Sequence, residues 1–206
     1  MDLRWWWVRH APVVNHGGQL YGQRDVPCDT SDARAFAALA RALPENAVWV
    51  TSHLSRARDT ARVIRDSGRA GPMPVIEHDF AEQSFGDWAG HTWDEIAARH
   101  PAESERFWAD PVGLTPPGGG SFAAVVLRVA AAIERFSAGR EGDIVAVAHG
   151  GVIRAAIATA LALDPTQAMA IRVDNLSLTR LDRVAGGTLR GRGGPWRVVA
   201  VNRPPY

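Results

Sequence analysis

Two short apolar runs, far apart in the chain, each lead directly into a histidine. Residues 3–8 precede Arg9 and His10, and residues 144–148 precede His149. Each run has the length and composition of a buried strand. Strands that are apolar on both faces are typical of parallel sheets covered by helices on both sides. We therefore expect both histidines at the carboxyl edge of a parallel sheet, where open α/β folds bind their ligands.

Predicted helices separate the apolar runs and give an alternating strand–helix pattern. Ser31 or Asp32 can cap the first helix, and Thr92 with Glu95 fits a capping box. This alternation predicts a single three-layer α/β/α domain over residues 1–206 with a mainly parallel sheet. The predicted strands cover 3–8, 48–51, 73–77, 144–148, 170–173, 176–182 and 196–201, and the predicted helices cover 33–43, 54–67, 92–100, 121–137 and 152–163.

Composition excludes several classes of function. All 23 basic side chains are arginine, so the chain has no lysine for a Schiff base or a Walker-type phosphate loop. The arginines are interspersed with acids over most of the chain, which argues against nucleic-acid binding. Cys28 is the only cysteine, which excludes a disulfide framework. Without a signal-peptide pattern or an apolar stretch of membrane length, we expect a cytoplasmic protein that does not bind membranes.

Five side chains lie where a parallel sheet would bring them together. Arg9 and His10 end the first predicted strand, and His149 ends a later one. Arg56 begins the helix after the second strand, and Glu82 lies in the mixed region beyond the third. Guanidinium groups match phosphate oxygens, a neutral imidazole can attack phosphorus, and a glutamic acid can protonate a leaving oxygen. The conjunction predicts phosphate chemistry, although each of these residues alone is more often structural.

The other histidines lack this strand-end context, and a structural role is favoured for them, with a partial exception for His53. No two of them have the spacing of a zinc site with a third ligand. We therefore expect neither a metal nor a cofactor. These residues are His16, His53, His78, His91 and His100.

Four segments resemble the motifs of the histidine phosphatase superfamily, in the branch of cofactor-dependent phosphoglycerate mutases and small phosphatases. Residues 8–11 resemble its Arg-His-Gly signature, and residues 51–57 resemble its Thr-Ser-Pro-Leu-x-Arg-Ala motif. Residues 82–90 resemble the segment of the acid catalyst, and residues 148–151 match the motif of the second histidine. The resemblance runs in order along nearly the whole chain and implies a phosphoglycerate-mutase-like fold.

This resemblance implies a role for each member of the set. His10 is the nucleophile that becomes phosphohistidine, and Glu82 is the proton donor. Arg9, Arg56 and His149 bind the phosphoryl group. Further contacts to phosphate or substrate are implied for Asn15, Tyr21, Gly22, Gln23 and Gly150.

Three residues depart from the family pattern without removing a member of the catalytic set. Ala11 replaces the glycine of the first motif, and His53 replaces the proline of the second. Gly120 replaces a glutamate that is common before the long helix. Within the superfamily, residues 21–27 and 108–111 resemble most closely those of alpha-ribazole-phosphatase-like proteins.

The leading prediction is a metal-independent phosphomonoester hydrolase acting on a small phosphorylated metabolite, with alpha-ribazole phosphate as one candidate. A phosphoglycerate mutase-type transferase is the first alternative. Only 66 residues separate Glu82 from His149, which is short for a mutase. A catalytically weak phosphosite-binding protein on the same fold is the second alternative. The oligomeric state stays open, with a homodimer as one option.

Overall fold

The computed structural model describes residues 2–14, 17–69 and 71–206, and the strands of this part form one sheet. Their spatial order is β3-β2-β4-β1-β5-β6. The first four strands of the chain run parallel, whereas β5 pairs antiparallel with both β1 and β6. The strands are β1 (Leu3–Arg9), β2 (Ala47–Thr51), β3 (Val75–Ile76), β4 (Gly142–Ala148), β5 (Leu178–Arg183) and β6 (Trp196–Arg203).

Some helices begin at side-chain caps that the sequence predicts. Asp32 accepts a hydrogen bond from the Ala35 N–H, and Thr92 and Glu95 form a complete capping box. None of the helices in the described part of the chain has the length and apolarity that a membrane crossing requires. The helices are α1 (Ala33–Ala42), α2 (Ser55–Asp66), α3 (Trp93–Arg99), α4 (Pro101–Ala109), α5 (Phe122–Ser137), α6 (Gly150–Leu161) and α7 (Pro165–Met169), with short turns at His78–Phe80, Gly86–Trp88 and Thr188–Gly191.

The sheet buries both of its faces, as its apolar strands require. Trp5 and Trp7 stack 5.1 Å apart on the face covered by α5 and α6. Trp6, one residue out of phase, packs on the opposite face with α1 and α2. The result is the predicted three-layer α/β/α architecture with a mainly parallel sheet.

A predicted strand is absent and a helix was not predicted, and each of these differences has a physical reason. Residues 170–173 are not a strand, because their carbonyls bind arginine side chains instead of a neighbouring strand. Arg154 Nε donates to Ile171 O at 2.8 Å, and Arg9 Nη1 donates to Val173 O at 2.6 Å. The helix α4 was not predicted, because it buries only Ser104 and Phe107 and so has a weak apolar period.

Candidate active site

His10 is held at the carboxyl end of β1 with one ring nitrogen fixed. The side chain is 1% exposed, and its Nδ1 lies 2.7 Å from the carbonyl oxygen of Ala11. Since a carbonyl can only accept, Nδ1 carries the proton and the Nε2 lone pair of the neutral ring is left available. Asn175 Nδ2 donates to the His10 carbonyl at 2.8 Å and fixes the backbone as well. The arrangement suits a nucleophile that reacts through Nε2.

His149 follows β4 on the neighbouring strand, and its ring lies beside that of His10. The two ring centroids are 5.1 Å apart. His149 is fully buried, and neither of its ring nitrogens has a hydrogen-bond partner among the described residues. The backbone of this residue is the N-cap of α6, so the positive end of the helix dipole lies at the same place. Buried polar atoms of this kind are suited to an anionic ligand.

Burial favours the neutral form of both imidazoles in the free protein. It lowers the pKa of His10 well below its ordinary value, and the charge of Arg56 lowers this pKa further. Burial also lowers the pKa of His149, with further contributions from His10 and Arg56. A bound phosphate would oppose these effects, because a nearby negative charge favours the protonated imidazole. The free site therefore favours a neutral His10 ring and a His149 ring whose charge can respond to a bound anion.

Arg56 is fully buried near the start of α2, where backbone carbonyls orient its guanidinium group. Its Nη1 donates to Arg24 O at 2.9 Å, and its Nη2 donates to Gly22 O at 2.6 Å. The guanidinium also lies 4.8 Å from the centroid of the Tyr21 ring, whose own centroid is 6.2 Å from that of His10. These contacts leave a rigid cation next to His10.

Arg9 supplies a second cation from the last residue of β1. Its Nη1 is bound to Val173 O, whereas its buried Nε has no hydrogen-bond partner among the described residues. That Nε would lie 3.6 Å from a Cβ atom on Gly150, which shows how closely the arginine approaches the start of α6. Two arginines and a helix N-terminus thus approach the histidine pair.

Glu82 is held by hydrogen bonds at both its side chain and its backbone. The N–H of Gln83 donates to Oε1 at 2.9 Å, and the N–H of Gly151 donates to Oε2 at 3.1 Å. The Glu82 carbonyl accepts from Gln23 Nε2 at 2.8 Å and from Arg128 Nη2 at 3.1 Å. The carboxyl group is therefore fixed beside the first turn of α6, two residues after His149.

A methyl group at Gly151 is expected to lower activity without unfolding the protein. A Cβ atom there would overlap Glu82 Oε1, whereas alanine favours the helix that the residue occupies. Because small displacements of catalytic groups are costly, we expect Gly151→Ala to reduce kcat/KM for a phosphomonoester by about 10²-fold. Gly194→Ala is the matched control, since nothing lies within 4 Å of its added Cβ. Activity within about twofold of the wild type would contradict this account of Glu82.

The remaining residues that were predicted to contact phosphate or substrate have different places and partners in the structure. Gly22 and Gln23 support Arg56 and Glu82 through the hydrogen bonds described above, and Tyr21 packs on Arg56. Gly22 has a φ of +46°, and an added Cβ would lie 2.8 Å from Gln83 O, so this position requires glycine. Gly150 is the first residue of α6, and Asn15 lies outside the described residues.

Sequence analysis missed two supporting residues and the strand-end position of two histidines. Arg128 and Asn175 hold the backbone of Glu82 and His10, and no local motif marks either residue for that role. The sequence analysis gives no strand-end context to His53, its partial exception, or to His78. Each in fact follows the end of a parallel strand by two residues, β2 for His53 and β3 for His78.

Comparison with known proteins identifies the family signature along most of the chain. The profile of the histidine phosphatase superfamily (branch 1) matches residues 5–191. The chain is similar to a 2,3-bisphosphoglycerate-dependent phosphoglycerate mutase 2 of Gloeobacter violaceus, with 30% identity over 191 residues, which are 88% of this chain and 86% of that protein. It is also similar to a glucosyl-3-phosphoglycerate phosphatase of Mycolicibacterium vanbaalenii, with 31% identity over 167 residues, which cover 76% and 73% of the two chains.

Similarity in structure extends over the whole fold. The alpha-ribazole phosphatase of Shigella flexneri superposes with a TM-score of 0.81, covering 97% of this chain and 96% of that one at 24% identity, which shows a shared fold. Some curated relatives are longer. The chain spans 38% of a bifunctional protein of Mycobacterium tuberculosis, to which it is 35% identical over 143 residues.

Proposed function

The chain belongs to the histidine phosphatase superfamily (branch 1), and from this membership we propose that it is a phosphomonoester hydrolase that acts through a phosphohistidine on His10. One observation carries the proposal. The neutral His10 ring has its Nδ1 bound to Ala11 O, so that Nε2 is free to react beside His149. A protein that only binds phosphate has no need of a fixed nucleophile.

In the first step, the Nε2 lone pair of His10 attacks the phosphorus of the substrate. A P–N bond forms while the ester P–O bond breaks. Glu82 acts as the general acid and gives a proton to the departing oxygen, which leaves as an alcohol. General acid catalysis of this kind contributes about 10²–10⁴-fold in rate.

In the second step, water attacks the phosphohistidine. The Glu82 carboxylate takes a proton from the water as its oxygen bonds to phosphorus. The P–N bond then breaks, and its electron pair returns to Nε2 of His10. Inorganic phosphate leaves, and the imidazole is neutral again. The same carboxyl group serves in both directions, so its fixed position next to Gly151 is useful in each step.

Arg9, Arg56 and the N-terminus of α6 neutralise the charge on the phosphoryl oxygens throughout. Phosphoryl transfer depends mainly on such positioning and electrostatic stabilisation. Both arginines are bound to backbone carbonyls, so they need little reorganisation when the substrate arrives. No step of this mechanism requires a metal ion.

The substrate is proposed to be a small phosphorylated metabolite. Related proteins carry names that specify glucosyl-3-phosphoglycerate, phosphoserine and alpha-ribazole phosphate. The substrates in these names are all phosphomonoesters, but their leaving groups differ. The loops that select the leaving group vary between relatives. A screen of phosphomonoesters should include all three.

A phosphoglycerate mutase is the second candidate, because the relative from Gloeobacter violaceus carries that name. A mutase uses the same phosphohistidine but returns the phosphoryl group to an organic acceptor instead of water. The two reactions are separated by adding 3-phosphoglycerate to the phosphoenzyme. The measurement is the fraction of the enzyme-bound phosphoryl group that is released as inorganic phosphate.

The first test is hydrolysis of p-nitrophenyl phosphate in excess EDTA. We expect steady release of inorganic phosphate and a phosphorylated protein that can be trapped by rapid quenching into alkali. The absence of turnover with every phosphomonoester of the screen, together with no trapped phosphoprotein, would overturn the proposed hydrolase.

A further inference from the structure

Four histidines stand side by side along the carboxyl edge of the sheet. The strand registers pair Arg9 with Ala148, Val147 with Thr51, and Thr51 with Ile76. Continuing each register one or two residues past the strand ends aligns one histidine on each of the neighbouring strands β1, β4, β2 and β3. In that order the histidines are His10, His149, His53 and His78.

The rings of this row form two pairs. His10 and His149 make the catalytic pair, with centroids 5.1 Å apart, and His53 and His78 stack with centroids 4.6 Å apart and planes 23° from parallel. His53 stands where the family motif that residues 51–57 resemble has proline. Nothing in the two-step mechanism uses it.

The second pair lies among charges of both signs, since Glu77 and Asp79 flank His78, and it has an unused hydrogen-bonding atom. The Nδ1 atom of His53 is buried and has no hydrogen-bond partner among the described residues. Arg58 of α2 and Arg128 of α5 act electrostatically on His53, and Asp25 is the acidic group that opposes them. Arg58 and Arg128 would both favour a negative charge added beside the His53 ring.

We propose that the His53–His78 pair is a second anion-binding site of the active site. It holds an acidic group on the leaving group of the substrate while the phosphoryl group lies at His10. The inference rests on the proposed phosphatase function and names its substrate class, a phosphomonoester that carries a second anionic group.

The spacing of the row sets the length of that substrate. Neighbouring strands lie about 4.8 Å apart, so His53 stands about 10 Å from His10 across β4. The leaving group must span a similar distance between its phosphate and its second anion. A three-carbon phosphorylated acid is too short for both sites, whereas an aromatic ring with a short acidic side chain can reach them.

Anion binding at the pair is expected to weaken as pH rises. Burial lowers the pKa of His53 from its ordinary value of 6.5, His78, Arg58 and Arg128 lower it further, and Asp25 partly opposes them. A bound anion raises this pKa, because it favours the protonated ring. The preference for an acidic leaving group should therefore be strongest at low pH and decline through the histidine range.

The test compares two phosphate esters that differ only in charge at the far end. One is the phosphate ester of 4-hydroxyphenylpropionate, and the other is the corresponding carboxamide. We expect kcat/KM for the acid to exceed that for the amide by about tenfold at about pH 6, with the ratio approaching one at about pH 8. His53→Pro, which restores the usual family residue, and His78→Gln should each remove the preference, while His100→Gln retains it.

The outcomes separate this inference from the proposed function. Turnover of the amide reports phosphatase activity by itself. A ratio near one in the wild type at low pH, or a preference that survives both His53→Pro and His78→Gln, would overturn the second anion site. If neither ester is hydrolysed, the proposed function fails, and calorimetry then tests the second anion site by itself. Equal affinities of the acid and the amide refute the site. Tighter binding of the acid that is lost in His78→Gln supports the site.

Discussion

Replacing His10 with alanine is expected to reduce kcat/KM for p-nitrophenyl phosphate by about 10⁴-fold or more, in the presence of EDTA. The reason is that no described residue near the site can replace the Nε2 atom, since His149 already occupies its own place on the adjacent strand. The same substitution should abolish the alkali-stable phosphoprotein seen after quenching. The measurements are steady-state hydrolysis and phosphoenzyme trapping on the same preparation.

His10 is also part of the packed interior, so loss of fold must be separated from loss of chemistry. The substitution removes a buried ring and leaves the hydrogen-bonding Asn175 in place, and the thermal midpoint of each variant reports the cost. His100→Ala, at an exposed position before α4, is the matched control and should keep full activity. Turnover that persists in folded His10→Ala would refute the phosphohistidine mechanism.

The second large effect concerns Glu82 and depends on the leaving group. Glu82→Gln preserves the shape of the side chain but removes the transferable proton. We expect kcat/KM to fall by about 10³-fold for an alkyl phosphate such as glycerol phosphate, whose alkoxide needs protonation. The loss should be much smaller for p-nitrophenyl phosphate, since its phenolate leaves readily without an acid. Comparing the two substrates isolates the proton transfer from binding.

Glu105→Gln, on the exposed side of α4, is the control for removing a carboxylate charge and should not change either substrate. An equal loss on both substrates would show that Glu82 acts through charge or position. In that case the proton donor would have to be sought elsewhere in the site. The small loss on the nitrophenyl ester is thus the decisive number.

Local sequence patterns predicted the strands and helices that carry the site. The apolar runs before His10 and His149, and the caps at Asp32 and Thr92, depend on residues that are close in sequence, and the structure confirms them. Residues 170–173 show where this fails. Their apolar pattern fits a strand. In the structure, however, Arg9 and Arg154, which are distant in sequence, donate hydrogen bonds to the carbonyl oxygens of this segment.

The candidate site also has a part that the sequence predicts and a part that only the tertiary structure determines. The sequence by itself indicated the residue types at the strand ends, because parallel strands must present their carboxyl ends on one edge of the sheet. Only the tertiary structure decided which further side chains join them there. The strand register placed His53 and His78 in line with the catalytic pair, and contacts from distant residues fixed Glu82. Local propensity cannot determine this register or these distant contacts. Register, burial and ring protonation depend on groups that are brought together only when the sheet forms.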